Sequence, residues 1–169
     1  MTLREIVTVP APVLRRKAHK VTEFDKDLNV LIDDMIETMR EAPGVGLAAP
    51  QIGVPQRLIV IEYAEDEENE DAEPRLYVVV NPEIVQTSEE TVLGVEGCLS
   101  VPGLVGEVDR FTEVVVRGQN RRGQPIKIKA QGWLARIFQH EIDHLEGVIF
   151  TDRAKRVWKP KEGDPVPRD

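Results

Sequence analysis

The chain has 169 residues, of which 41% are hydrophobic and 31% charged, as expected of a soluble globular domain with a substantial core. Its net charge of −8 argues against direct nucleic-acid binding, which needs clustered Lys and Arg. No apolar run approaches the roughly 20 residues of a membrane span, and no signal-peptide pattern follows Met1, so we expect a cytoplasmic protein without membrane contact. The single cysteine, Cys98, excludes an internal disulfide.

An amphipathic helix is predicted over residues 23–41. Thr22 followed by Asp25 resembles a capping box, and the helical pattern ends at Pro43 and Gly44. Apolar residues recur at helical spacing between these limits, which predicts that one face packs against a core. They are Phe24, Leu28, Leu31, Ile32, Met35 and Met39.

Two β-hairpins are predicted next. Residues 58–61 and 76–80 are rich in Val, Ile and Leu and flank the acidic segment 62–73, which we interpret as a solvated loop. Residues 112–117 and 125–130 flank a polar, glycine-containing connection. The alternation of Ile and Lys in the last of these segments predicts a hairpin with one face toward water.

A second helix is predicted from Gly132 to Leu145, with Gly147 at its C′ position. The order helix, strands, helix predicts an α+β fold, with a mostly antiparallel sheet packed around this C-terminal helix. We expect a single catalytic domain over residues 1–153, followed by a short irregular tail over residues 154–169.

The second predicted helix contains the pattern His-Glu-Ile-Asp-His at residues 140–144. A spacing of four residues places His140 and His144 on one helical face, where both imidazoles can bind one metal ion. Glu141 flanks the same site and can carry protons. The pattern therefore indicates metal-dependent hydrolysis, provided that a third ligand exists.

Catalytic metal sites usually have three protein ligands. No histidine follows His144, and the only downstream glutamates are Glu146, too near on the same helix, and Glu162, in the tail. Upstream, a preceding glycine and a nearby proline suggest a tight, extended segment around Cys98. From there a thiolate can point toward the helix.

Three blocks of sequence contain Cys98, the two histidines and further candidate site residues. They are residues 44–51 (Gly-Val-Gly-Leu-Ala-Ala-Pro-Gln), 96–100 (Glu-Gly-Cys-Leu-Ser) and 139–145 (Gln-His-Glu-Ile-Asp-His-Leu). In this order and spacing they resemble the three signature motifs of the peptide deformylase family, and the resemblance covers about residues 5–153. It implies a hydrolase that removes the N-formyl group from the initiator methionine of newly made polypeptides and releases formate.

By this resemblance, the metal ligands are Cys98, His140 and His144, which hold one divalent metal per chain. Family members bind Fe²⁺ natively, and Zn²⁺, Ni²⁺ or Co²⁺ can occupy the site in prepared samples. Glu141 would be the general acid and base. Gln51, through its side-chain amide, and Leu99, through its backbone N–H, would form the oxyanion hole.

The same resemblance implies a peptide bound in extended form, as an added strand. The residues expected to contact it are Val45, Gly46 and Gly97. Helical spacing places Trp133 and Ile137 one to two turns before the ligands, where they either line a methionine pocket or pack in the core. Arg136 puts a charge near that pocket, and Glu96 is expected to brace the cysteine segment by pairing with an arginine such as Arg110.

Two other classes use some of the same residues. A zincin-type peptidase would employ the same histidines and Glu141, but it would have its third ligand downstream. A structural zinc module would need a fourth Cys or His, and only His19 is left. The expected partners are N-formylmethionyl nascent peptides. The resemblance also implies transient ribosome contact, although prolines in residues 159–169 disfavour docking by a C-terminal helix.

Overall fold

The computed structural model describes residues 2–64 and 73–164. Most of the predicted acidic loop, residues 65–72, lies outside the described residues, and so does the end of the predicted tail, residues 165–169. Within the described ranges, no helix is both long enough and apolar enough to cross a membrane.

The helices confirm both sequence predictions, with one change at a boundary. They are α1 (Lys26–Glu41), α2 (Gly132–Leu145) and the short α3 (Phe150–Arg153). The first helix begins three residues later than predicted because Asp25, rather than Thr22, is its N-cap. The Asp25 side chain accepts a hydrogen bond of 3.0 Å from the backbone N–H of Leu28. As predicted, Gly147 follows α2 with a positive φ of 76°.

Eight strands form two sheets in the described part of the chain, and every strand pair within them is antiparallel. The five-stranded sheet has the order β1-β2-β3-β6-β7, and the three-stranded sheet has the order β4-β5-β8. The strands are β1 (Gly46–Ala48), β2 (Leu58–Tyr63), β3 (Arg75–Thr87), β4 (Thr91–Cys98), β5 (Val101–Phe111), β6 (Glu113–Gln119), β7 (Pro125–Gln131) and β8 (Arg156–Trp158). This architecture confirms the predicted α+β fold.

Both predicted hairpins are present as the pairs β2–β3 and β6–β7. Lys127 and Lys129 are exposed on β7, which confirms its predicted wet face. The pair β4–β5 was not predicted. Glycines at positions 94, 97, 103 and 106 interrupt the alternation of apolar and polar residues by which a strand is recognised.

Part of the predicted irregular tail is a strand. Residues 156–158 pair with β5, with Val105 opposite Trp158 and Glu107 opposite Arg156. The guanidinium of Arg156 also lies 4.3 Å from the centroid of the Trp158 ring. A run of three residues is too short to show periodicity, so its strand character depends on the edge that β5 offers.

The five-stranded sheet separates two hydrophobic clusters. Ile59 and Ile61 of β2 belong to the cluster of α2 residues, whereas Leu58 and Val60 of the same strand belong to the cluster of α1 residues. Because successive side chains of a strand point to opposite faces, the continuous apolar run of β2 is buried on both sides. This packing fixes α2 against the sheet, which is what positions its two histidines.

Candidate metal centre

Three potential metal ligands converge where the end of β4 meets α2. The ligand atoms of Cys98, His140 and His144 all lie within 4.8 Å of one another, and all three side chains are buried. Nε2 of His144 lies 3.4 Å from Sγ of Cys98. The two imidazole rings, one helical turn apart, have centroids separated by 5.1 Å. The structure thus brings together the three residues that the sequence indicated.

The donor set fits a divalent transition metal. Two imidazole nitrogens and one thiolate are ligands that zinc, iron and cobalt accept. Nε2 of His140 is buried, and no residue of the described ranges forms a hydrogen bond with it. A buried polar atom without a partner is costly, and a metal ion between Cys98 and the histidines would satisfy this one.

Glu96 fixes the orientation of the His140 ring. Its Oε1 lies 2.9 Å from Nδ1 of His140. Since a carboxylate only accepts, Nδ1 carries the proton and the Nε2 lone pair is left for a metal. Glu96 is fully buried, and Arg110 binds it with both Nε and Nη2 at 2.9 Å. The predicted pairing of Glu96 with Arg110 is confirmed.

The charges of this cluster set its protonation. Burial raises the pKa of Glu96, but hydrogen bonds from Arg110 and His140 lower it by more, so the group is a carboxylate. Burial lowers the pKa of Arg110, and its contacts with Glu96 more than reverse this effect.

The two histidines differ in the direction of their pKa shifts. Burial, together with the charge of His140, lowers the pKa of His144 well below its ordinary value, which keeps the ring neutral as a metal ligand must be. Burial also lowers the pKa of His140, but its contacts with Cys98 and Glu96 raise it by more. Without a metal this raised pKa favours a ring protonated on both nitrogens; a metal ion would replace the proton on Nε2, while Glu96 keeps the one on Nδ1.

The side chain of Glu141 extends from α2 toward the first strand, β1. Its side chain is fully buried, and a Cβ added to Gly46 of β1 would lie 2.5 Å from its Oε2. Only glycine at position 46 leaves room for the carboxylate in this place. Position 46 therefore needs glycine for a steric reason, in addition to any role that Gly46 has in peptide binding.

The amide of Gln51 is oriented toward the ligands. Its Oε1 accepts a hydrogen bond of 2.9 Å from the backbone N–H of Ala48. This leaves Nε2 as the donor, which lies 3.1 Å from Oγ of Ser100 and 3.5 Å from Sγ of Cys98. Leu99, the residue after Cys98, is half-buried in the connection between β4 and β5. A side-chain amide donor therefore lies against Cys98, one of the three potential ligands.

The residues predicted to contact a peptide lie on two strand edges. Gly46 is in β1, at one edge of the five-stranded sheet, and Val45 directly precedes it. Gly97 is in β4, at one edge of the three-stranded sheet. Edge strands have backbone groups that can pair with an added strand.

The residues predicted to line a methionine pocket are divided. Ile137 is fully buried in the cluster that joins α2 to the sheet, in agreement with the core-packing alternative, whereas Trp133 is half-buried at the border of that cluster. Arg136 does not carry a free charge near this place, because it is buried and its Nη1 donates to Glu96 at 2.6 Å.

Sequence reasoning missed the full extent of this charge network. Asp143 of α2 accepts hydrogen bonds from Arg110 at 2.6 Å and from Arg153 at 2.7 Å. The links from Arg110 and Arg136 cross between elements far apart in the sequence, and no local pattern signals them.

Two antiparallel sheets around a helix that supplies two histidines and a buried glutamate are the frame of a metal-dependent hydrolase. Comparison with known families refines this class, since the model of the polypeptide deformylase family matches residues 3–159. The chain belongs to the peptide deformylase family.

Individual relatives and solved structures agree. A peptide deformylase of Symbiobacterium thermophilum is 52% identical over 153 residues, which cover 90% of this chain and 67% of that protein. That of Natranaerobius thermophilus is 48% identical, with 96% of this chain and 99% of that protein covered. The crystal structure of peptide deformylase from Ehrlichia chaffeensis in complex with actinonin superposes with a TM-score of 0.85 at 42% identity, covering 92% of this chain and 91% of that one.

Peptide deformylases are metal-dependent hydrolases that remove the N-formyl group from nascent polypeptides. The family resemblance of the sequence is thereby confirmed, and membership decides against a zincin-type peptidase or a structural zinc module.

Proposed function

We propose that this chain holds one divalent metal through Sγ of Cys98 and Nε2 of His140 and His144, and hydrolyses the formyl amide of N-formylmethionyl peptides. The observation that carries the proposal is the buried convergence of these three ligand atoms within 4.8 Å. Bound there, a divalent metal supplies Lewis acidity that makes a water molecule reactive near neutral pH. Fe²⁺ is the metal we favour from the family, and the donor set also accepts Zn²⁺, Ni²⁺ or Co²⁺.

Glu141 is the proton carrier in this proposal. It takes a proton from the attacking water and delivers it to the departing amine as the formyl C–N bond breaks, which releases formate and a free amino terminus. Its position supports the role, because the carboxylate is next to His140 in sequence and is held against Gly46 of β1.

Gln51 and Leu99 are the proposed oxyanion donors. Negative charge develops on the formyl oxygen during attack, and a neutral donor stabilises it without competing for the metal. Nε2 of Gln51 points toward Cys98, which supports this assignment, and the backbone N–H of Leu99 is the second donor. Each donor is expected to contribute roughly 3 to 4 kcal/mol to the stabilisation of the transition state.

The peptide is proposed to bind in extended form between the edges of β1 and β4. Val45 and Gly46 would contact it from one side and Gly97 from the other, with the half-buried Trp133 near the methionine side chain. A formyl carbon bears only hydrogen, so a pocket bounded by Gly97 could accept it and reject an acetyl group.

We further propose a cytoplasmic location and only transient ribosome contact. The residues after α3 do not continue as a helix through residue 164, and β8 instead pairs with β5. For the protein to dock on the ribosome by a C-terminal helix, this part of the described chain would therefore have to adopt a different structure. We propose neither membrane nor direct nucleic-acid binding.

The test of the function compares formyl-Met-Ala-Ser with acetyl-Met-Ala-Ser on anaerobically purified, iron-loaded protein. Formate and acetate are measured as separate products, and the same protein after chelation is the control. We expect formate release at a kcat/KM far above that of acetate release. Equal rates on the two peptides, or cleavage between Met and Ala, would contradict the proposal.

A further inference from the structure

Arg136 is the one arginine of α2, and it lies four residues before His140 on the same helix. Its side chain is only 2% exposed. Burial of a guanidinium in a protein interior is costly unless all of its charge and donors are satisfied. The partners of Arg136 therefore show what the residue does.

Three acceptors surround the guanidinium. Nη1 donates to Oε2 of Glu96 at 2.6 Å and to the carbonyl of Val108 at 2.9 Å, while Nη2 donates to the carbonyl of Val92 at 2.7 Å. Val92 and Glu96 lie on β4 and Val108 on β5. One side chain thus joins the helix that carries both histidines to the strand that ends at Cys98.

The charge of Glu96 does not by itself require this arginine. Glu96 already receives a two-point contact from Arg110 and a hydrogen bond from His140. The second guanidinium adds two bonds to backbone carbonyls that Arg110 does not make, which indicates that its role concerns the spacing of the elements rather than the charge of Glu96.

The strand is shaped to receive the guanidinium. A Cβ added to Gly94 of β4 would lie 2.7 Å from Cζ of Arg136 and 2.8 Å from Nη2. Real Cβ contacts are not this short, so any side chain at position 94 would displace the arginine. Gly94 and Arg136 therefore fit each other across the boundary between β4 and α2.

We propose that Arg136 is a positioning residue of the metal centre. It fixes α2 against β4, and so holds Nε2 of the two histidines at the distance from Sγ of Cys98 that a single ion requires. The inference rests on the proposed assignment of these three ligands. It assigns no contact with substrate to Arg136.

Cobalt is the probe for the test, because a Cys98 thiolate on Co²⁺ gives a charge-transfer absorption that reports the ligand set. The variants are Arg136→Met and Arg136→Lys, which remove all or part of the contacts, and Gly94→Ala, which displaces the guanidinium from the other side. The matched control is Arg121→Met. Arg121 also ties a helix to a hairpin, by hydrogen bonds to Asn29 and Asp33.

We expect the dissociation constant for Co²⁺, measured by chelator competition, to rise roughly 10- to 100-fold in the three variants. The thiolate absorption should weaken in them, and both quantities should be unchanged in Arg121→Met. A merely structural role would lower the melting temperature and leave the cobalt affinity and spectrum of the folded protein as they are, which would overturn the inference.

The variants also cover failure to fold and failure of the underlying assignment. If Arg136→Met does not fold, the cobalt affinity and spectrum of Arg136→Lys and Gly94→Ala decide whether Arg136 positions the ligands. If the unmodified protein itself binds Co²⁺ without a thiolate absorption, the ligand assignment is wrong and the inference falls with it. Normal cobalt binding by the unmodified protein and by the variants alike would refute only the role of Arg136.

Discussion

The carboxylate of Glu141 occupies the space that a side chain at Gly46 would need, because a Cβ built on Gly46 lies 2.5 Å from Oε2 of Glu141. The glycine of one motif thus determines where the glutamate of another can lie. The two residues are 95 positions apart in the sequence, and the packing of α2 on β1 brings them together.

Gly46→Ala should therefore lower turnover through Glu141. We expect kcat to fall by about 10²-fold or more, since a general acid and base displaced from its position loses most of its effect, while the metal content stays at one ion per chain. Steady-state kinetics and elemental analysis measure the two quantities. The control is Gly103→Ala, whose added Cβ meets no atom within 4 Å. Its φ of +81° strains an alanine, so this variant should lose stability but keep its kcat. Equal activity of Gly46→Ala and the unmodified protein would contradict the steric argument.

Glu141→Ala separates the proton carrier from the ligands. It should retain the metal and lose at least about 10²-fold in kcat, because the general acid and base is removed while Cys98 and the histidines remain. Metal content and formate release are measured on the same preparation. Near-normal turnover in a fully metal-loaded variant would refute the assigned role.

Gln51→Leu tests the oxyanion donor. Removal of one such donor typically costs about 10²- to 10³-fold in kcat, and we expect a loss of this size with little change in KM. Ser100→Ala is the matched comparison, since it removes only the hydroxyl that lies 3.1 Å from Nε2 of Gln51. A larger loss in Ser100→Ala than in Gln51→Leu would show that the amide is a structural element rather than a catalytic one.

The buried carboxyl of Asp34 in α1 should make the stability of the protein depend on pH. The backbone N–H of Thr2 lowers the pKa of this buried carboxyl; burial opposes this effect and Arg4 reinforces it, so the net pKa lies below its ordinary value of 3.8. A depressed folded-state pKa contributes stability that is present above 3.8 and is lost as pH falls through the folded value. Asp34→Asn should therefore destabilise the protein at pH 7, with a difference that shrinks toward pH 3, as urea unfolding at both pH values would show. A constant difference would contradict this account.

The metal-binding helix could be predicted from local sequence, but its surroundings could not. His140 and His144 share one face because a helix repeats every 3.6 residues, and this is a property of neighbouring residues. Cys98 is 42 residues from His140 in the sequence, and its convergence depends on how β4 meets α2. The resemblance to the family motifs indicated that Cys98 joins the two histidines as a ligand, whereas the spacing of these residues in the sequence did not decide it.

Two of the features that the sequence did not predict depend on the register between distant elements. Two of the three hydrogen bonds of Arg136 form because the carbonyls of Val92 and Val108 lie within reach of this side chain of α2. The strand that contains Trp158 exists only because β5 has an edge beyond β4. Neither relation leaves a periodic signal in the residues that take part.

The ligand set of the bound metal is the central claim, and X-ray absorption at the metal edge tests it most directly. For iron- or zinc-loaded protein we predict one sulfur ligand and two imidazole nitrogens; for zinc the distances should be about 2.3 Å and 2.0 to 2.1 Å. The sulfur contribution should vanish in Cys98→Ala, which should also lose the metal to a chelator. A shell of nitrogen and oxygen ligands without sulfur in the unmodified protein would contradict the assignment of Cys98 and the mechanism built on it.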